Sequence, residues 1–126
     1  MESEIKNLLG TYQRVLNEAN VDLIKNVFSN DAMVIGQPFP TATGIENIIK
    51  LYSGFLSKLN FNVQFELLEM ELRDDLGFIR THSRGTIVPK GQTPTGSEGN
   101  REIFIVKKIQ GAWKFHRYIF NAEVPG

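Results

Sequence analysis

The 126-residue sequence contains no cysteine, which excludes disulfide bonds, thiolate zinc sites and cysteine nucleophiles. It also lacks an excess of one charge, because 14 lysines and arginines balance 14 aspartates and glutamates. Since neutralisation of phosphates by cationic side chains supplies most non-specific affinity for nucleic acids, we expect no nucleic-acid partner. The apolar runs are too short to span a membrane, and the charged N-terminal segment does not resemble a secretory signal. We therefore expect a cytoplasmic protein without a membrane partner.

Motifs that bind metals, phosphates or cofactors are scarce as well. The two histidines, His82 and His116, lie far apart, and neither belongs to a short pair with the spacing of metal ligands. Gly91, Gly96 and Gly99 fall in a stretch of turn residues, not in the strand-to-helix loop that binds phosphate. We predict neither a metal site nor a bound cofactor.

The composition is that of a folded chain, with 41% hydrophobic and 22% charged residues. The length suits one domain, which we place at residues 1–126. In its first half, apolar residues recur at helical spacing in three segments, which begin near Ile5, Leu23 and Ile45. A short apolar strand, residues 32–35, precedes the third of these helices.

From residue 61 onward the apolar period changes to two, which predicts strands at residues 61–72, 78–88, 101–109 and 112–121. The apolar phase reverses between Leu67 and Leu68. Because one extra residue exchanges the two faces of a strand, this reversal predicts a β-bulge. Strands joined by hairpins form an antiparallel sheet. We predict an α+β fold in which three helices lie on the concave side of a strongly bent antiparallel sheet and enclose a cone open to a small ligand.

Several segments carry a resemblance to a known group: TYQR at residues 11–14, SNDAMV at 29–34, GIENI at 44–48 and GAWKF at 111–115. They resemble the nuclear transport factor 2-like superfamily, whose cystatin-like α+β cone occurs in ketosteroid isomerases and SnoaL-like polyketide cyclases. The second half, with RTHSRGT at residues 80–86, NREIF at 100–104 and WKFHRYIFN at 113–121, resembles the SgcJ/EcaC-type subgroup. Because this fold hosts isomerases, dehydratases, cyclases and binding modules, the resemblance implies a fold rather than a reaction.

The resemblance implies specific positions for catalytic groups. Ketosteroid isomerases use a carboxylate base at the end of the first strand, with a tyrosine and a protonated aspartate as the oxyanion hole. Tyr12 falls at the position of the tyrosine. The base falls beside Gly36, and residues 32–45 contain no carboxylate; the protonated acid falls near the apolar Ile105. Steroid isomerisation by that mechanism is therefore not expected, and Tyr12 has a second interpretation as a core residue on an apolar helix stripe.

The strands supply the remaining candidates. Either face of strand 78–88 can line the cone, since one carries Arg80, His82 and Arg84 and the other Thr81, Ser83 and Gly85. Arg101 and Glu102 point to opposite faces of their strand, so one of them looks inward, where a charge needs a partner or a ligand. On the last strand, alternation places Arg117 and Asn121 on one face with Trp113, Phe115 and Ile119, and His116, Tyr118 and Phe120 on the other.

From these candidates we predict a single cavity surrounded by Tyr12, His82, Arg101 and Asn121 and approached past the loop at residues 36–43. Tyr12 and His82 are the candidate catalytic residues, and the candidate ligand-binding residues are Arg101, Asn121, Tyr118 and Phe120. In this hypothesis Arg101 orients an anionic or carbonyl oxygen, Tyr12 donates a second hydrogen bond and His82 transfers a proton.

The function predicted from these residues is the binding of a small, largely apolar ligand with a carbonyl or carboxylate, without an assigned reaction. The alternative is an acid/base enzyme of the isomerase, dehydratase or cyclase type, acting on a polyketide-like or carbonyl compound. Strands 78–88, 101–109 and 112–121 carry apolar or long amphipathic residues on both faces, while helices cover only one. We therefore expect a homodimer through the outer sheet face.

Overall fold

The computed structural model describes residues 1–123. Helix α1 spans Glu2–Asn17, a 3₁₀ turn at Val21–Leu23 leads into the short α2 at Ile24–Val27, and α3 spans Ile45–Leu56. The strands are β1 Phe28–Gly36, β2 Ala42–Thr43, β3 Leu59–Arg73, β4 Leu76–Pro89, β5 Glu98–Ile109 and β6 Ala112–Ala122. None of the described helices is long and apolar enough to cross a membrane, and the cytoplasmic location stays a prediction.

The six strands form one sheet in the order β2-β1-β6-β5-β4-β3. Every neighbouring pair is antiparallel except β1 and β6, which run parallel. The last strand therefore lies between β1 and β5 and joins the first half of the chain to the second. The predicted α+β, cystatin-like architecture is confirmed: three helices pack against a curled and mostly antiparallel sheet.

Helix α1 closes the cone at the β3 edge of the sheet. Its apolar stripe is buried, as the helical period predicts: Ile5, Leu8, Leu9, Tyr12, Val15 and Leu16. The Asn17 amide exchanges two hydrogen bonds with the backbone of Val63, at 2.8 and 2.9 Å, and the Phe65 amide donates to Gln13 at 3.0 Å. These side chains satisfy backbone groups at an edge that has no further strand, so α1 is held over the inner face.

Two β-bulges set which side chains enter the cone. On β3 the register with β4 passes from Leu67 to Glu69, which confirms the bulge predicted at Leu67–Leu68. The second bulge is on β6, where Phe115 and Arg117 pair with consecutive residues of β5 and His116 is the extra residue. Because a bulge reverses the faces, Phe115 and Tyr118 are both buried on the inner side. The predicted alternation of β6, with Phe115 on the face of Arg117 and Asn121, is therefore wrong.

Candidate functional site: an acidic, aromatic cone

The interior of the cone contains a cavity of about 360 Å³, which we call the cone cavity. This volume lies within the range of small-molecule sites. Most of its lining is apolar, and the aromatic members are Tyr12, Phe39, Tyr52, Phe55, Phe61, Phe65, Tyr118 and Phe120. Its polar members besides the tyrosines are Gln37, Ser83, Glu98, Asn100 and Glu102. Among these described lining residues there is no lysine, arginine or histidine.

The carboxyl group of Glu102 is the buried charge of the cone. Glu102 is 1% exposed and lies on the inner face of β5. The Thr81 hydroxyl donates to its Oε1 and the Ser83 hydroxyl donates to its Oε2, both at 2.6 Å. Burial raises the pKa of Glu102, and the two hydroxyl hydrogen bonds, followed by the charge of His82, oppose that rise. A desolvated carboxylate held between two donors can accept a proton at a remaining lone pair and, once protonated, can donate it again.

Three tyrosines gather beside this carboxyl. The hydroxyl oxygens of Tyr12 and Tyr52 lie 2.6 Å apart, and the Tyr118 ring stacks on Phe104 with centroids 4.1 Å apart. Burial is the largest cause that raises the pKa of all three phenols, and the charge of Glu102 adds to it for Tyr12 and Tyr118. The three hydroxyls are therefore neutral at physiological pH and can donate hydrogen bonds.

His82, Arg101 and Asn121 do come together, but on the outer face of the sheet. They occupy one row across β4, β5 and β6, where His82 pairs with Arg101 and Arg101 with Asn121. Arg101 Nε donates to Asn121 Oδ1 at 2.9 Å, while His82 Nδ1 lies 3.3 Å from Glu66 Oε1 without the alignment of a hydrogen bond. We call these four residues the outer cluster.

The prediction that His82, Arg101 and Asn121 surround the same cavity as Tyr12 is therefore wrong. Successive residues of a strand face opposite sides of the sheet. Because Glu102 points inward, its neighbour Arg101 points outward. Because Thr81 and Ser83 point inward, His82 between them points outward. Neither residue lines the cone cavity, so neither the predicted ligand contact of Arg101 nor the predicted proton transfer by His82 can occur there.

Tyr12, Tyr118 and Phe120 do line the cone cavity, and the loop after β1 reaches it through Gln37, Pro38 and Phe39. The functional roles predicted for the three aromatic residues stay predictions. Phe120 also lies directly against Gly36 at the end of β1. Its ring occupies the space that a side chain at Gly36 would need, and this is the position beside which the resemblance places a carboxylate base.

Sequence reasoning left Arg101 and Glu102 as the two candidates for the inward charge and then chose Arg101 as the ligand-binding residue instead of Glu102. Its own strand gave no decisive signal, because apolar residues follow it on both faces: Phe104 and Val106 inside, and Ile103 and Ile105 outside. A signal did exist on β4, where Thr81 and Ser83 are small hydroxyl residues of one parity. These small side chains can satisfy a buried carboxylate from within the sheet, whereas the longer Arg80, His82 and Arg84 can do so only by being buried themselves.

A serine, a histidine and an aspartate also meet outside the cone. Ser29 Oγ lies 2.9 Å from His116 Nδ1, and Asp31 Oδ1 lies 3.6 Å from the same nitrogen. A catalytic triad needs the serine and the carboxylate on different nitrogens of the imidazole, so this group is not one. Within residues 1–123, no group of three or more His, Asp and Glu side chains is arranged to hold a metal ion.

The sequence matches no protein-family model and no curated protein. Solved structures do match its fold. A ketosteroid isomerase-like protein from Erwinia carotovora atroseptica is 22% identical with a TM-score of 0.87, covering 98% of this chain and 96% of that one. A nuclear transport factor 2-like superfamily protein from Salmonella enterica serovar Typhimurium is 18% identical with a TM-score of 0.82, covering 98% and 91%. A Nostoc punctiforme protein of unknown function with a cystatin-like fold is 17% identical with a TM-score of 0.73, covering 97% and 90%.

These similarities show that the chain has the nuclear transport factor 2-like, or cystatin-like, fold. At such identities they carry no activity from one protein to another. The closer resemblance to the SgcJ/EcaC-type subgroup stays a prediction.

Proposed function

We propose that the chain binds a small, largely apolar molecule inside the cone. The observation that carries this proposal is the cone cavity itself, with aromatic walls and one buried, hydrogen-bonded carboxyl. A mostly apolar cavity with a few placed polar groups is the usual composition of a small-molecule site. The apolar walls bind the body of the ligand, and the tyrosine hydroxyls orient its polar end.

The polar end of the ligand is a carbonyl in this proposal. The sequence left a carbonyl and a carboxylate open and assigned the orientation of either one to Arg101, which lies outside the cavity. A ligand carboxylate would meet Glu102 and Glu98 without a lining cation to offset the repulsion. A carbonyl needs only a hydrogen-bond donor, which the neutral hydroxyl of Tyr118 supplies.

The experiment is a calorimetric titration with acetophenone, a small aromatic ketone. Leu51 lines the cone cavity and is partly buried, so Leu51→Trp fills space that the ligand needs. Leu76→Trp is the matched control, because Leu76 is 52% exposed and lies outside the cone cavity. The proposal predicts binding by the wild type and by Leu76→Trp, and loss of binding by Leu51→Trp. Equal binding by all three proteins would place the ligand elsewhere.

Acid/base catalysis is a second candidate function, favoured by the raised pKa of the buried Glu102 carboxyl. Perturbed carboxyls in apolar clefts are typical of groups that transfer protons. In this alternative Glu102 has the role that the sequence assigned to His82, and the substrate is a carbonyl compound. Glu102→Gln would then abolish turnover and leave ketone binding intact, whereas His82→Gln would change neither.

We also propose a homodimer through the outer sheet face. That face exposes Leu68, Ile103, Ile105 and Ile119, each between 39% and 49% exposed. Charges of both signs lie among them, including Glu66, Glu69, Arg80 and Arg101. An isologous contact brings a patch against its own copy, so such a mixed patch can pair opposite charges around an apolar centre.

A further inference from the structure

The charge of the cone cavity is all of one sign. Its described lining holds two carboxylates, Glu98 and Glu102, and no cationic side chain. Within residues 1–123, no lysine, arginine or histidine nitrogen lies within 4.0 Å of the Glu102 carboxyl. The charge of His82 acts on Glu102 only from the outer face of the sheet. A buried carboxylate without a contacting counter-charge is unfavourable, and a ligand that supplies the positive charge removes that cost.

The two hydroxyls around Glu102 suit the charged carboxylate. Thr81 and Ser83 each donate to a different oxygen of the group. A carboxylate accepts at both oxygens and has about four lone-pair sites, so acceptor sites remain after both hydroxyl bonds are made. Glu102 is itself part of the lining, and a donor inside the cone cavity can reach it.

The walls favour a cation as well. The faces of tyrosine and phenylalanine rings attract ammonium groups within about 6 Å, most strongly where water is excluded. Tyr118 and Phe120 follow each other along the inner side of β6, and Phe120 pairs directly with Glu102 across the sheet. A positive group at Glu102 therefore has a carboxylate beside it and aromatic rings around it.

We infer that the ligand of the cone carries a protonated amine that pairs with Glu102, in addition to its apolar body and its carbonyl. The inference rests on the proposed ligand-binding function and names the charge class of that ligand. The ammonium donates to the free lone pairs of Glu102, and the carbonyl accepts from a tyrosine hydroxyl. Anionic molecules of the same size are rejected by Glu98 and Glu102.

Three probes that share a phenyl ring and a two-carbon tether test the inference: 2-phenylethylammonium, 2-phenylethanol and 3-phenylpropanoate. Calorimetry at pH 7.5 should rank them in that order for the wild type. We expect the ammonium to bind about tenfold more tightly than the alcohol, which is the difference between a charge-assisted and a neutral hydrogen bond. In Glu102→Gln the tenfold preference should vanish while the alcohol binds as before.

Glu66→Gln is the matched control, because it removes the same charge from the outer cluster, where the Glu66 side chain is 66% exposed. It should keep the preference for the ammonium. A second measurement needs no variant: lowering the pH through the raised pKa of Glu102 should erase the preference in the wild type, because the amine stays protonated. Of the other groups that act on Glu102, the tyrosines stay neutral and the charge of His82 lies on the outer face of β4. Glu98→Gln tests whether the remaining carboxylate of the lining contributes to the preference.

The outcomes separate the inference from the function on which it rests. Equal affinity for ammonium and alcohol in the wild type, or a preference that survives Glu102→Gln, overturns the inference and leaves the ligand-binding proposal standing. Failure of all three probes to bind, while acetophenone binds, overturns the inference alone. Failure of acetophenone and of all three probes overturns both.

Discussion

Removing one hydroxyl beside Glu102 gives the sharpest test of how the cone holds a buried carboxylate. Thr81 is 1% exposed, and its hydroxyl donates to Glu102 Oε1 at 2.6 Å. Thr81→Val keeps the shape of the side chain and deletes that donor. A hydrogen bond to a charged group contributes about 1.5–3 kcal/mol, and one between neutral groups about 0.5–1.5 kcal/mol. We therefore expect Thr81→Val to lower the free energy of unfolding by about 2 kcal/mol at pH 8.

The measurement is a double-mutant cycle of Thr81→Val with Glu102→Gln. The free energy of unfolding of each variant is obtained from urea titrations monitored by the fluorescence of Trp113, which is 5% exposed. In the Glu102→Gln background the same Thr81→Val change should cost only about 1 kcal/mol, because the bond is then neutral. Thr86→Val on the same strand serves as the control and should stay within about 0.5 kcal/mol of the wild type. An identical cost of Thr81→Val in both backgrounds would refute the account of a charged, hydroxyl-bound Glu102.

Three further predictions concern stability and assembly. Because the folded state raises the pKa of Glu102 above its ordinary value near 4.5, ionisation of Glu102 disfavours folding. In urea titrations the stability of Glu102→Gln relative to the wild type should therefore increase as the pH rises from 4 to 8. A difference in unfolding free energy that stays constant over this range would contradict this. Tyr12→Phe leaves the Tyr52 hydroxyl without its partner and should lower the unfolding free energy by about 1–3 kcal/mol in the same assay. An unfolding free energy equal to that of the wild type would rule out a structural role for the hydrogen bond between the two tyrosines. In sedimentation Ile119→Glu, on the outer sheet face, should be a monomer. Lys50→Glu, on the exposed side of α3, is the control and should remain a dimer. A wild-type protein that is monomeric at tens of micromolar would contradict the dimer proposal.

Most of the fold could be predicted from the sequence because helical and strand periods are local signals. The bulge at Leu67–Leu68 was predictable for the same reason, since apolar residues change parity there without interruption. The bulge at His116 was not. Ile119 continues the parity of Trp113 and Phe115, so the alternation looks intact, and only the structure shows that Ile119 is 49% exposed while Tyr118 is buried.

The candidate site was predictable only in part, for a related reason. Tyr12, Tyr118 and Phe120 line the cone cavity, and their roles there stay predictions. The buried stripe of α1 points to Tyr12, whereas the bulge at His116 hides the inward position of Tyr118 and Phe120. The faces of β4 and β5 could not be assigned, since β5 carries apolar residues on both. Arg101 was chosen by its chemistry as a ligand-binding group, and the sheet instead buries Glu102, whose two hydroxyl partners lie on the neighbouring strand.

The central claim is that the ligand site lies inside the cone, between the tyrosines and Glu102. A crystal structure of the protein with acetophenone bound tests it most directly. The account predicts electron density for the ketone in the cone cavity, with its oxygen within hydrogen-bond distance of a tyrosine hydroxyl. Density beside the outer cluster at His82 and Arg101, with the cone cavity closed by its own aromatic side chains, would contradict it.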